Sequence, residues 1–235
     1  MTSRGSNTGG NAMMQIEKNT VDAKNQLQKN NLVTFENKKG NGKRIMFVGN
    51  SITRHGKCSS IGWNNDWGMA ASAKEKDYVH ILIERFKKDY NDAAFCICQI
   101  AEWEREYKNG ESLLGLFEEA RKFHADIIIL RLVENCPRED FEPETFKTEL
   151  DKLISYLNPS GKAKLFMTTS FWKHTATPTL LKFAKERNIP IAELEDLGED
   201  DSMKAIGLFN HEGVANHPGD KGMQVIADRI YRLSS

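Results

Sequence analysis

The stretch Arg44-Ile45-Met46-Phe47-Val48-Gly49-Asn50-Ser51-Ile52-Thr53 reads as a short buried strand running into a tight turn. An unbroken apolar run of this length is what a strand covered on both faces looks like. Gly49 and Asn50 are turn formers, and they bring the Ser51 hydroxyl out at the strand's carboxyl end. Four more such runs follow: Ala94 to Ile100, Asp126 to Leu132, Ala163 to Thr168 and Ile189 to Ala192. Between them lie stretches of helical period. Val79, Leu82, Ile83, Phe86 and Tyr90 mark one face, Leu113, Phe117 and Ala120 a second, and Phe146, Leu150, Leu153, Ile154 and Leu157 a third. A shorter helix fits Pro178 to Arg187, and a last one runs from about Pro218 to Leu233. Strands alternating with helices predict an α/β protein, a five-stranded parallel sheet with covering helices.

In such sheets ligands bind beyond the carboxyl ends of the strands, so the loops after each run are the ones to question. The first carries Ser51. Position 53 is Thr, so G-x-S-x-G and its nucleophile elbow do not apply, and a serine here could simply bond its own turn. The third run delivers Glu134 and Asn135, and an Asn at that edge can aim its amide at a developing oxyanion. Directly before the last helix comes His217-Pro218-Gly219-Asp220, where a histidine can reach back as a general base for Ser51. All four tryptophans follow strands as well: Trp63 and Trp67, then Trp103, then Trp172. Single tryptophans are usually core residues, but four at one edge predict an aromatic wall lining a substrate cleft.

Other constellations are weaker. His211, Glu212 and His217 cluster, but H-E-x-x-H needs a histidine at position 215, which is Ala215. Gly40-Asn41-Gly42-Lys43 lacks the Ser or Thr of a phosphate loop and precedes its strand instead of following it. Glu102, Glu104 and Arg105 read as a solvated charged run. His55 and His174 sit on crevice loops, where they could touch substrate or bond loop backbone.

Taken together, the Ser, Asn and His blocks resemble those of the SGNH hydrolase superfamily. Gly49-Asn50-Ser51-Ile52 is similar to its GDSI block, Asn135 matches the Asn block, and His217-Pro218 matches the C-terminal His block. Gly213-Val214 ahead of His217-Pro218, with Asp220, Gly222 and Met223 after, is similar to carbohydrate-esterase-like bacterial members. The resemblance spans about residues 44 to 233 and implies a flavodoxin-like three-layer α/β/α sandwich and hydrolysis of esters. It implies Ser51 as nucleophile, His217 as base, and an oxyanion hole made by the Ser51 amide, Asn135 and a second-block amide. That block normally carries Gly; here the segment is Gln99-Ile100-Ala101-Glu102-Trp103, which assigns the amide to Ala101. The family's usual Asp, three residues before the His, is Val214. The imidazole therefore needs another orienting group: a backbone carbonyl, as some carbohydrate esterases of the superfamily use, or Glu212, Asp220 or Glu134. A carbonyl is preferred, with Asp220 read as a helix cap.

Composition bounds the rest. The 235 residues are 39% hydrophobic and carry 33 basic and 33 acidic side chains, for zero formal net charge. No global field draws the chain to nucleic acid or to anionic membrane. Cys96 and Cys98 alternate within an apolar run and read, like Cys58 and Cys136, as reduced. Residues 1–40 are expected to be a polar, flexible N-terminal segment ahead of a hydrolase domain at 41–235. That segment has no apolar run of leader type, and a cytoplasmic location is the expectation. The expected activity is removal of acetyl or other short acyl groups from a carbohydrate, through an acyl-enzyme and without metal or organic cofactor. The alternatives are a lipase or thioesterase, told apart by acyl-chain preference, and a non-catalytic glycan-binding protein on the same fold.

Overall fold

The five apolar runs form five strands. In the computed structural model, which describes residues 32–234, they are β2 (Arg44–Gly49), β3 (Ala94–Gln99), β4 (Ile127–Arg131), β5 (Lys164–Thr168) and β6 (Ile191–Ala192). A sixth strand, β1 (Val33–Glu36), pairs antiparallel with β3 at the sheet edge, while all other pairs are parallel. The order is β1-β3-β2-β4-β5-β6. Among the described residues the sheet thus has six strands where the sequence predicted five, and β1 lies inside the segment assigned to the polar N-terminus. Residues 1–31 of that segment lie outside the described residues.

Leaving out β1, the parallel strands run in the flavodoxin-type order 2-1-3-4-5. Successive strand residues face opposite sides, and each side has its own core. Met46, Val48, Cys96, Cys98, Ile128, Leu130 and Met167 point into one. Ile45, Phe47, Phe95, Ile97, Ile127, Ile129 and Phe166 point into the other.

The first core is covered by α2 (Ala101–Arg105), a 3-10 segment Tyr107–Phe117, α3 (Glu118–Arg121), α4 (Pro143–Leu157) and α5 (Thr177–Glu186). Pro143 starts α4 at a position where its missing N–H is not needed. The sequence read Leu113 to Ala120 as one helical face; the chain there is 3-10 and passes into one α turn only at Glu118.

The second core is covered by α1 (Tyr78–Asp89) and α7 (Asp220–Ser234). Val79, Leu82, Ile83 and Phe86 recur on the buried side of α1. Its N-terminus is capped by Asp77, which accepts from the His80 amide at 2.7 Å. A short α6 (Glu212–Ala215) precedes α7.

The order reverses at β2, whose neighbours β3 and β4 lie to either side. The carboxyl ends of these three strands therefore frame the crevice that doubly wound sheets use for ligands.

Candidate active site

Ser51 follows β2 by two residues. The turn is closed by Thr53 and Arg54 amides that both donate to Asn50 O at 2.9 Å. Gly49 is needed for a steric reason, since a Cβ there would stand 2.0 Å from Thr53 Oγ1 and 2.7 Å from Arg131 O. A side chain at 49 would push the serine turn away from β4.

His217 comes from the loop between α6 and α7. That loop is pinned when the Ala205 amide donates to His217 O at 2.9 Å and the His217 amide donates to Val214 O at 3.0 Å. Across the crevice, Ser51 Oγ lies 2.8 Å from His217 Nε2. On the far side of the ring, His217 Nδ1 lies 2.6 Å from Gly213 O. A carbonyl oxygen can only accept, so Nδ1 carries the proton and Nε2 turns its lone pair to the serine hydroxyl. Trp172 packs edge-on against the same ring, with centroids 5.2 Å apart. Burial, against the pull of the Gly213 carbonyl, holds the imidazole down to about 4, so it is a neutral base at pH 7.

None of the carboxylates considered as orienting groups reaches His217. Asp220 accepts from the Ser72 amide and hydroxyl and from Lys76, tying α7 to the loop before α1 instead of capping its own helix. Glu134 is turned to Arg131, Asn50 and the Phe171 amide. Glu212 is exposed. Val214, at the usual acid position, is buried with Trp63, Met69, Ala70 and Ala205.

Asn135 lies beyond β4, past Val133, whose φ of +96° is strained for a β-branched residue. Glu104 holds this turn. It accepts from the Val133 amide at 2.7 Å, from Asn135 Nδ2 at 2.5 Å and from Asn50 Nδ2 at 3.0 Å. Asn50 is in turn fixed by Arg131, whose Nη2 donates to Asn50 Oδ1 at 2.7 Å, and Arg131 pairs with Glu134. Burial, and next the neighbouring charge of Glu134, push the Glu104 carboxyl up to about 7. One hydrogen of the Asn135 amide is thus committed to Glu104, and the other remains for a ligand.

Ser51, Ala101, Asn135 and His217 line one cavity of about 360 Å³. The Ala101 amide donates to Gln99 Oε1 at 3.1 Å, so it is occupied when no substrate is present.

The aromatic wall is corrected. Trp63 and Trp103 are 0% exposed and sit in separate cores. Trp67 donates to Ala71 O at 3.0 Å, and none of the four tryptophans lines the cavity. Placing a tryptophan after a strand fixes its height on the sheet edge, not which way the ring turns: Trp63 and Trp103 turned inward, while Trp67 and Trp172 are partly buried against the second core, Trp172 beside His217. His174 is buried, bonding Cys136 O and the Ala176 amide, while His55 does line the cavity.

Sequence reading missed Glu104, which lies in what looked like a solvated run and is 0% exposed. Its signal was its place directly after β3, between Trp103 and the cavity-lining Arg105.

The sequence matches no known family profile and no curated protein. Solved structures do match. The chain is similar to a two-domain esterase (CEX) active on acetylated mannans, co-crystallized with mannopentaose. The identity is 17% and the TM-score 0.52, over 81% of this chain and 48% of that one. It is also similar to a family two carbohydrate esterase from Clostridium thermocellum in complex with cellohexaose, at 14% identity and TM-score 0.52, covering 81% and 62%. The fold is that of the SGNH hydrolases. A member of the lipolytic protein G-D-S-L family from Veillonella parvula DSM 2008 shares it, at 15% identity and TM-score 0.50, covering 81% and 97%. The present chain spans about half of the first of these proteins and less than two thirds of the second. In this SGNH fold the serine turn, the Asn turn and the histidine loop meet at the sheet's switch point.

Proposed function

We propose that the protein is a serine carboxylic-ester hydrolase acting on short acyl esters, with a carbohydrate ester as the first candidate substrate. The observation that carries the reading is the pair of contacts on His217: Ser51 Oγ at 2.8 Å on Nε2 and Gly213 O at 2.6 Å on Nδ1.

Chemically, His217 Nε2 takes the hydroxyl proton as Ser51 Oγ attacks the ester carbonyl. The Nδ1–H bond to Gly213 holds the ring during the transfer and stabilises the imidazolium more weakly than a carboxylate would. The oxyanion is met by the Ser51 amide and the free hydrogen of Asn135, with the Ala101 amide joining once Gln99 yields it. His217 then gives its proton to the leaving alkoxide. Water, deprotonated by the same nitrogen, attacks the acyl carbon, and the acid leaves as His217 returns that proton to Ser51 Oγ. Every step is served by protein groups.

Cavity size supports a short acyl group, since about 360 Å³ is near the lower end for small-molecule sites. A carbohydrate ester is supported by the likeness to proteins described as active on acetylated mannans or as a carbohydrate esterase. With Trp63 and Trp103 buried and no tryptophan in the cavity lining, ring stacking on them no longer adds to that support.

The test is hydrolysis of p-nitrophenyl acetate, butyrate and octanoate by the parent, Ser51→Ala and His217→Ala. Activity that falls with chain length and drops at least about 10³-fold in both variants is expected. A preference for octanoate would favour a lipase. Glycan binding without any hydrolysis would favour a binding protein.

A further inference from the structure

The cavity is lined by Arg54, Lys57 and Arg105 together with His55 and His211, and by no Asp or Glu. In a chain of zero net charge this is a local excess of positive charge. The acids beside Arg105 are turned elsewhere. Glu104 points into the buried network beneath Asn135, and Glu102 and Glu106 line a separate depression with Lys108 and Asn109. Arg105 Nη1 is buried and donates to nothing among the described residues. Burial, and more weakly the charges of Arg105 and Arg54, hold His55 below its usual value, so the two guanidiniums and the imidazole share one region of the cavity. The Arg105 guanidinium, in a lining with no acid, favours an anion in the space it shares with the nucleophile. The partner that fits its planar fork is a carboxylate.

We infer that the substrate carries a carboxylate, bound by Arg105 in the same cavity as the ester attacked by Ser51. The inference rests on the hydrolase reading only for the word substrate; anion binding can be measured without turnover. The carboxylate could sit on the acyl part or on the alcohol part of the ester.

Two pairs of probes separate those sources: monomethyl against dimethyl succinate for the acyl side, and 4-acetoxybenzoate against its methyl ester for the alcohol side. Binding of all four to Ser51→Ala protein is measured by calorimetry, and turnover by the parent is followed through release of methanol or acetate. In at least one pair the carboxylate should bind at least about tenfold more tightly than its methyl ester. Arg105→Gln should abolish that ratio. Arg105→Lys, which keeps the charge but not the fork, should retain part of it and serves if the Gln variant does not fold. Equal binding within both pairs would overturn the inference, as would a preference that survives Arg105→Gln. If the carboxylate binds and no ester is turned over, the anion site stands and the hydrolase reading falls. If charged and neutral esters bind and turn over alike, the reverse holds.

Discussion

At the scale of single residues, the account turns on which group orients His217. The Gly213 carbonyl occupies Nδ1, and Glu212, Asp220 and Glu134 are all directed elsewhere. Asp220→Asn and Glu212→Gln should therefore leave kcat/KM within about threefold of the parent, against a loss of about 10³-fold or more for His217→Ala. Steady-state kinetics on p-nitrophenyl acetate decide it, and a Glu212 loss equal to that of His217 would return the acid to the mechanism. The same ring sets the pH profile. A base must be neutral to act, and burial lowers His217 to about 4. Activity should then hold as pH falls from 7 to about 5 and drop only below that; an acidic limb at 6.5 would mean an unperturbed imidazole. Ser51, Asn135 and His217 were legible because each ends an apolar run or opens a helix. A backbone carbonyl leaves no mark in sequence beyond the missing acid at Val214.

At the scale of elements, α2 does more than cover a core. Glu104 clamps the strained Val133 turn and links it to the serine turn through Asn50. Gln offers one accepting oxygen where the Glu104 carboxyl offers two, so Glu104→Gln should cost about 1–3 kcal/mol and lower kcat on p-nitrophenyl acetate by about tenfold or more as Asn135 loses its anchor. The stability gap should depend on pH. With its pKa raised to about 7, the folded protein holds a proton on Glu104 that the unfolded chain releases near 4.5. The parent's stability from this group is present at pH 4.5 and is lost as pH rises to about 7. Thermal melts of parent and variant should therefore differ more at pH 5 than at pH 8, and an unchanged gap would contradict the buried, proton-holding carboxyl. Sequence reading could not see this because charged residues in a run are normally solvated. Only the packing of α2 beneath the β4 loop shows which one went in.

At the scale of the whole molecule, the five strands of a parallel sheet were readable from five apolar runs, because strands buried on both faces show no alternation to confuse them, whereas their order came only with the family resemblance. The edge strand β1 was not. Its four residues Val33–Glu36 are all partly exposed and follow a long polar stretch, so composition placed the boundary too late. Yet β1 closes the edge of β3, and Leu32 before it reaches the cavity wall. A chain beginning at residue 41 should melt several degrees lower and show more light scattering from the uncovered β3 edge; equal melting would make β1 dispensable. Net charge was also misleading at this scale, since a zero sum conceals a cavity lined with cations and no acids.

The central claim is that His217 makes Ser51 a nucleophile, and covalent labelling by a fluorophosphonate tests it most directly. Intact mass and peptide mapping should show one adduct per chain, on Ser51, formed at least about 100-fold more slowly in His217→Ala. No adduct on the parent, or an adduct on another residue, would contradict it.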